Sequence, residues 1–156
     1  KKNNTEERQR YQKMLMEYNE VLEKDPDNGN TYYNIGLVHY YLGNISESKK
    51  NVHKAIDLEP NVKEYYSTLL GIILGDDTKI VEEMNSLGNS LADNRRYEEL
   101  KEKRDLMLKE SIPIWKSLID IDESNLETLK GLQNIYSILD DNRGFSEINE
   151  ILKKYE

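Results

Sequence analysis

Apolar residues recur along this chain at spacings of three and four, the period of helices that bury one face. Met14, Leu15, Tyr18, Val21 and Leu22 mark one such face between Tyr11 and Lys24. Ile35, Val38, His39 and Leu42 form the next, and Val52, Ala55 and Ile56 a third. Tyr66, Leu69 and Leu70 continue the pattern between Val62 and Leu74, and Ile80, Met84, Leu87 and Leu91 follow the turn at Gly75-Asp76-Asp77. A long stripe runs from Tyr97 and Leu100 through Met107, Leu108, Ile112, Trp115, Leu118 and Ile119. Leu129, Leu132 and Tyr136, then Phe145 to Tyr155 with Ile148, Ile151 and Leu152, close the chain. The pattern predicts an all-α protein of about seven or eight antiparallel helices in two layers, with no sheet.

Turn chemistry separates these stripes. Gly43-Asn44 is a turn signal, and Asn44 with Glu47 three residues on has the form of an N-cap. Ser124-x-x-Glu127 reads as a capping box for the last pair of helices. "ADNRR", Ala92 to Arg96, reads as a turn ahead of a helix of about 27 residues, about 40 Å long at 1.5 Å per residue. Pro113 falls inside that helix, where it removes one backbone hydrogen bond and is expected to kink it near Lys109.

Two of the three prolines carry an internal repeat. "VLEKDPDN" places Pro26 after one apolar segment and "AIDLEPNV" places Pro60 after another, 34 residues later. Such a period signals a helical solenoid. In the intervening register Tyr32, Ile35, Gly36 and His39 match W-x2-L-G-x2-Y, with Tyr for Trp and His for Tyr. Ser48, Val52, Ala55 and Pro60 match the second half of that pattern. The stretch Gly29 to Val62 resembles the tetratricopeptide repeat, and the helical insertion with "ESIPIWKSLIDID" and "LKGLQNIYSIL" looks like bacterial repeat proteins of the Bacteroidetes type.

The resemblance implies an α-solenoid of antiparallel helix hairpins with an inserted long helix, spanning 1–156 as one domain. Residues 11–28 form a half repeat, 29–62 the best-matching repeat, 63–125 a repeat carrying an insertion of about 29 residues, and 126–156 a degenerate C-terminal capping repeat. A first-helix mate for the half repeat is absent or lies in Lys1 to Arg8. With its Lys1 start, this suggests a piece of a longer array. The inserted helices, Thr78 to Ile112, are expected to pack on the array or against a second copy, giving a monomer or a weak homo-oligomer. Location is open, and the resemblance points, if anywhere, to a bacterial envelope.

Composition narrows the functional classes. Thirty acids against 22 bases give a net charge of −8, and no face concentrates bases as nucleic-acid binding requires. The richest supply, Arg95 to Arg104, interleaves five bases with three acids. No apolar run is long enough to cross a membrane as a helix. The chain has no Cys, hence no disulfide, thiolate nucleophile or Cys-based metal site. His39 and His53 lack the spacing of a helical metal pair, and the acidic stretches at Asp25 and Asp120 lack the Gly and Glu of a calcium loop. We find no catalytic, cofactor or metal motif.

What remains is an unusual supply of tyrosine, eleven against one Phe. Four tyrosines fall in "NTYYNIGLVHYYLGN", Asn30 to Asn44. Tyr32 and His39 are expected to hold the hairpin, while Tyr33, Leu37, Tyr40 and Tyr41 line up as an outward ridge. In a repeat array the first helices line the concave face, so the partner-binding candidates are Asn30, Tyr33, Asn34, Leu37, Tyr40, Tyr41 and Glu64. The expected partner is a protein or peptide. The alternative is a spacer or accessory segment of a longer envelope protein or enzyme, with no ligand of its own. Glu64 and Thr68 stand where a receptor for acidic chain ends needs bases, which disfavours that ligand.

Overall fold

The computed structural model describes residues 2–155, with side chains from 5 to 155. Among them the chain forms eight helices and no strand. In order these are α1 (Lys2–Lys24), α2 (Gly29–Tyr41), α3 (Ile45–Leu58), α4 (Lys63–Leu74), α5 (Asp77–Ser86), α6 (Leu91–Ile121), α7 (Leu126–Ile138) and α8 (Asn142–Leu152). The architecture is all-α, built of antiparallel helix hairpins with one long inserted helix. Two compact units divide at Ile72/Ile73, within α4.

In the first unit, α2 and α3 make the tightest hairpin. The Asn28 side chain accepts from the Thr31 N–H at 2.8 Å and starts α2. Gly43, at φ +79°, ends it, with Asn44 N–H donating to His39 O and Gly43 N–H to Tyr40 O. That pair of bonds is the Schellman arrangement, and it needs a residue at positive φ. Asn44 is the N-cap of α3, but its side chain makes no capping bond; its amide lies 3.4 Å from His39 Nδ1.

Gly36 then lets the helices touch. A Cβ there would stand 2.7 Å from Val52 Cγ2 and 3.2 Å from Ser48 O. The fully buried Ser48 hydroxyl donates to Gly36 O at 2.7 Å, fixing the same crossing. This contact, rather than Tyr32 and His39, is the centre of the hairpin. Both of those residues are half-buried, and Tyr32 carries the Lys54 ammonium 5.9 Å from its ring centroid.

α3 ends at Glu59, before Pro60, which cannot continue the ladder. Tyr65, Tyr66, Leu69 and Leu70 of α4 are buried. Tyr66 donates to Pro60 O at 2.8 Å and Tyr65 to Glu59 Oε2 at 2.5 Å, so both hydroxyls hold the turn behind them. α1 is one uninterrupted helix of 23 residues. Residues 2–8 therefore extend it and do not form a separate mate; Lys1 lies outside the described residues.

The second unit repeats this grammar 97 residues on. Asn125 caps α7 by accepting from Thr128 N–H at 3.0 Å, as Asn28 does from Thr31. Asp140, at φ 55°, takes the place of Gly43, and Asp141 N–H donates to Tyr136 O as Asn44 does to His39 O. The cap is thus Asn125 and not Ser124, whose hydroxyl turns back to Asp122. Tyr136 packs over Gly144, and Trp115 of α6 over Gly131 of α7. Leu108, Ile119, Leu129, Leu132, Ile135, Ile148 and Leu152 form the core around them.

α6 is longer than expected, 31 residues, because the turn lies earlier. Ser90 and Asp93 form a capping box that nucleates the helix through "ADNRR". α6 continues through Pro113 as one helix. α5 lies on its first half: Ile80 and Leu100 are buried, Arg104 grips Asp77 through two bonds of 2.7 and 3.2 Å, and Arg96 meets Glu83 at 2.7 Å. Arg96 pulls the Glu83 carboxyl below its ordinary pKa. The inserted stripe is only partly covered, since Leu91 is 80% and Tyr97 42% exposed.

Candidate functional site

All seven sequence-derived candidates lie in the first unit, on α2 and α4. Tyr33 is the principal correction. It is buried, with its ring stacked on Tyr65 at 4.7 Å between centroids and 30° between planes. Its hydroxyl lies 3.1 Å from both Glu64 Oε1 and Thr68 Oγ1, donating to the carboxylate and accepting from the threonine. α2 has two flanks to bury, one toward α3 and one toward α4, and Tyr33 takes the second. Burial is the largest influence on its phenol and raises the pKa; Thr68 opposes this and Glu64 adds to it. Tyr65 is raised further, by burial first and then by Glu59.

The face left open is rotated from the one expected. Asn30 and Tyr41 are exposed, and Asn34 and Leu37 half-buried. At about 100° per residue these four fall within a sector of about 60°, while Tyr33 lies outside it. Tyr40, 41% exposed, meets Tyr41 edge to face at 5.8 Å. Glu64, on the next first helix, is exposed and held by Tyr33.

Two residues absent from the sequence-derived set join this surface. Thr68 fixes the Tyr33 hydroxyl from α4. Tyr11 of α1 lies flat on Tyr41, with ring centroids 5.6 Å apart and planes within 7°. Its hydroxyl points to Glu7 Oε1 at 3.5 Å, a long contact. Thr68 had a signal, being one turn beyond Glu64 on the same helix. Tyr11 had none, because its pairing with Tyr41 depends on how α1 folds back on α2.

The surface is a strip of amides and tyrosines bounded by two Glu–Tyr pairs, with no nucleophile–base pair among its residues. Among the described residues no group of three or more His, Asp or Glu side chains is placed to hold a metal ion, and no helix is long and apolar enough to cross a membrane.

No protein-family model and no curated protein matches the chain. Solved structures of MamA do. One is 20% identical over 88% of this chain and 85% of its own, with a TM-score of 0.36. A MamA RS-1 ArsTM double mutant is 17% identical over 97% and 93%, with a TM-score of 0.38. MamA 41-end from Desulfovibrio magneticus RS-1 is 15% identical over 97% and 96%, with a TM-score of 0.37. Likeness at this level bears no functional argument.

Proposed function

We propose that this chain is a protein–protein interaction scaffold of the tetratricopeptide type, without catalysis or a cofactor of its own. The α2–α4 face holds a segment of a protein partner. One observation carries the reading: the solvent-reached strip Asn30, Asn34, Leu37 and Tyr41, two of them exposed and two half-buried, lies beside a packed, hydrogen-bonded floor. Tyr33, Tyr65 and Thr68 lock that floor from beneath through stacking and hydrogen bonds. Tyr41 supplies area and a hydroxyl at low entropic cost, while the two amides offer donors and acceptors to a ligand backbone. A surface that is presented but pre-ordered loses little entropy on binding.

The test is capture of partners by the immobilised chain, identified by mass spectrometry, against Asn34→Ala and Tyr41→Ala. Neither residue is buried, so both variants should keep the wild-type melting temperature within a few degrees. Loss of the same captured proteins from both variants supports the reading. A capture profile unchanged in both folded variants refutes it and favours a spacer.

A further inference from the structure

The chemistry of the strip goes further than its existence. At its two edges a tyrosine points a hydroxyl at a carboxylate: the buried Tyr33 at Glu64, and Tyr11, stacked on Tyr41, at Glu7. Both glutamates are exposed. A carboxylate has about four acceptor positions, and a tyrosine hydroxyl fills one. Each carboxylate seat therefore keeps acceptor capacity for a guanidinium or ammonium group, and the Tyr41 end adds an open aromatic face, whereas the Tyr33 ring is buried against Tyr65. Tyr41 is the better platform, because the residue is 62% exposed and its ring is covered by Tyr11 on one side.

The seats are set apart by the helix itself. Tyr33 and Tyr41 are eight residues apart on α2, about 12 Å along the axis. An extended segment covers that distance in about four residues at about 3.3 Å each. The charge of this unit is nearly balanced, with 10 bases and 11 acids in residues 1–72, so a cation preference on this face rests on the local carboxylates. Burial, then Glu7 and Tyr41, raise the Tyr11 pKa, with Arg10 the smallest and opposing influence.

We propose that the occupant of the α2–α4 face is an extended basic segment with two cationic side chains about four residues apart, one held by Glu64 beside Tyr33 and one by Tyr41, Tyr11 and Glu7. The inference rests on the interaction reading above and names the partner's charge.

Three fluorescein-labelled peptides of one length test it: a dibasic Arg-Gly-Gly-Gly-Arg sequence, the same with Glu for Arg, and the same with Ser for Arg. Fluorescence anisotropy against the intact chain should show the dibasic peptide binding tightest and weakening with salt. Glu64→Gln should weaken it by about two- to fivefold, the range for one ion pair at an exposed site. Glu127→Gln on α7 removes equal charge far along the chain and should change it less than twofold. Both variants must keep the wild-type circular dichroism. Equal weakening by both variants would mean bulk attraction and would overturn the proposal, as would acidic or neutral peptides binding as well as the dibasic one. Either result leaves partner capture by Asn34 and Tyr41 standing, so the two readings fail separately.

Discussion

A methyl group added at Gly36 should destabilise the protein, although it improves the helix. Gly36→Ala gains about 1 kcal/mol of intrinsic helix propensity. Against this, the new Cβ would sit 2.7 Å from Val52 Cγ2, about 1 Å inside ordinary carbon–carbon contact. Val52 is fully buried, so its methyl cannot swing out into solvent. The other neighbours, Ser48 O and Val52 N at 3.2 and 3.3 Å, are backbone. The helices must separate, and the Ser48 hydroxyl bond to Gly36 O, worth about 1 kcal/mol, lengthens with them. Overpacking of this kind costs typically 1–3 kcal/mol, so the net loss should be about 1–3 kcal/mol. Gly71 provides the matched control. It is exposed in α4 with nothing within 4 Å of its would-be Cβ, and Gly71→Ala should stabilise by about 0.5–1 kcal/mol. Urea denaturation followed by far-ultraviolet circular dichroism reads both. Val52→Ala added to Gly36→Ala should cost less than Val52→Ala alone, because it opens the space the methyl needs. If Gly36→Ala stabilises as Gly71→Ala does, the α2–α3 crossing is not held by this contact and the reasoning fails.

Alkaline pH should unfold the protein from the first unit. Tyr33, Tyr65 and Tyr66 all have raised pKa values, so each contributes stability that is complete below the ordinary phenol value of 10.0 and is lost as pH climbs through the folded value. Tyrosinate absorbance should lag in the folded protein, and Tyr65→Phe should flatten the fall in stability; a phenol titration with no late-titrating class would contradict this. Trp115, packed over Gly131, buries an Nε1–H with no partner among the described residues. Trp115→Ala should cost about 3–5 kcal/mol and Trp115→Phe clearly less, since Phe also removes the unpaired donor; equal costs would show that the indole N–H is satisfied. The half-covered Arg104–Asp77 pair should show a coupling of about 1 kcal/mol in a double-mutant cycle, with amide exchange quickened in α5 when either side is truncated. Zero coupling would mean that Ile80 and Leu100 alone hold α5.

Much of the helix layout was legible because its signals are local. Pro26, Gly43 and Pro60 stop helices for reasons internal to the backbone, and each stands at a helix end. Caps were less legible, since several polar residues compete for each. Ser124 and Asn125 both suit the start of α7, and the structure uses Asn125 while Ser124 pairs with Asp122. "ADNRR" reads as a turn on composition, yet the Ser90–Asp93 box carries the helix through it. The site was harder. Asn30, Asn34, Leu37 and Tyr41 follow from helical spacing, but Tyr33 does not, because only the position of α4 decides which flank of α2 is covered. Tyr11 was out of reach for the same reason.

α1 has no buried side chain among those described; Tyr11, Met14, Leu15, Tyr18 and Leu22 are each only half covered. Helices held so lightly open at a small fraction of the global unfolding free energy. Tyr11 rides on α1, so the Tyr41 end of the strip exists only while that helix is docked. The Tyr33–Glu64 end is set in α2 and α4 and persists when α1 detaches. A partner engaging both ends would add its own binding energy to the docking of α1. The docking of the first helix and the occupancy of the strip would then be linked, each favouring the other.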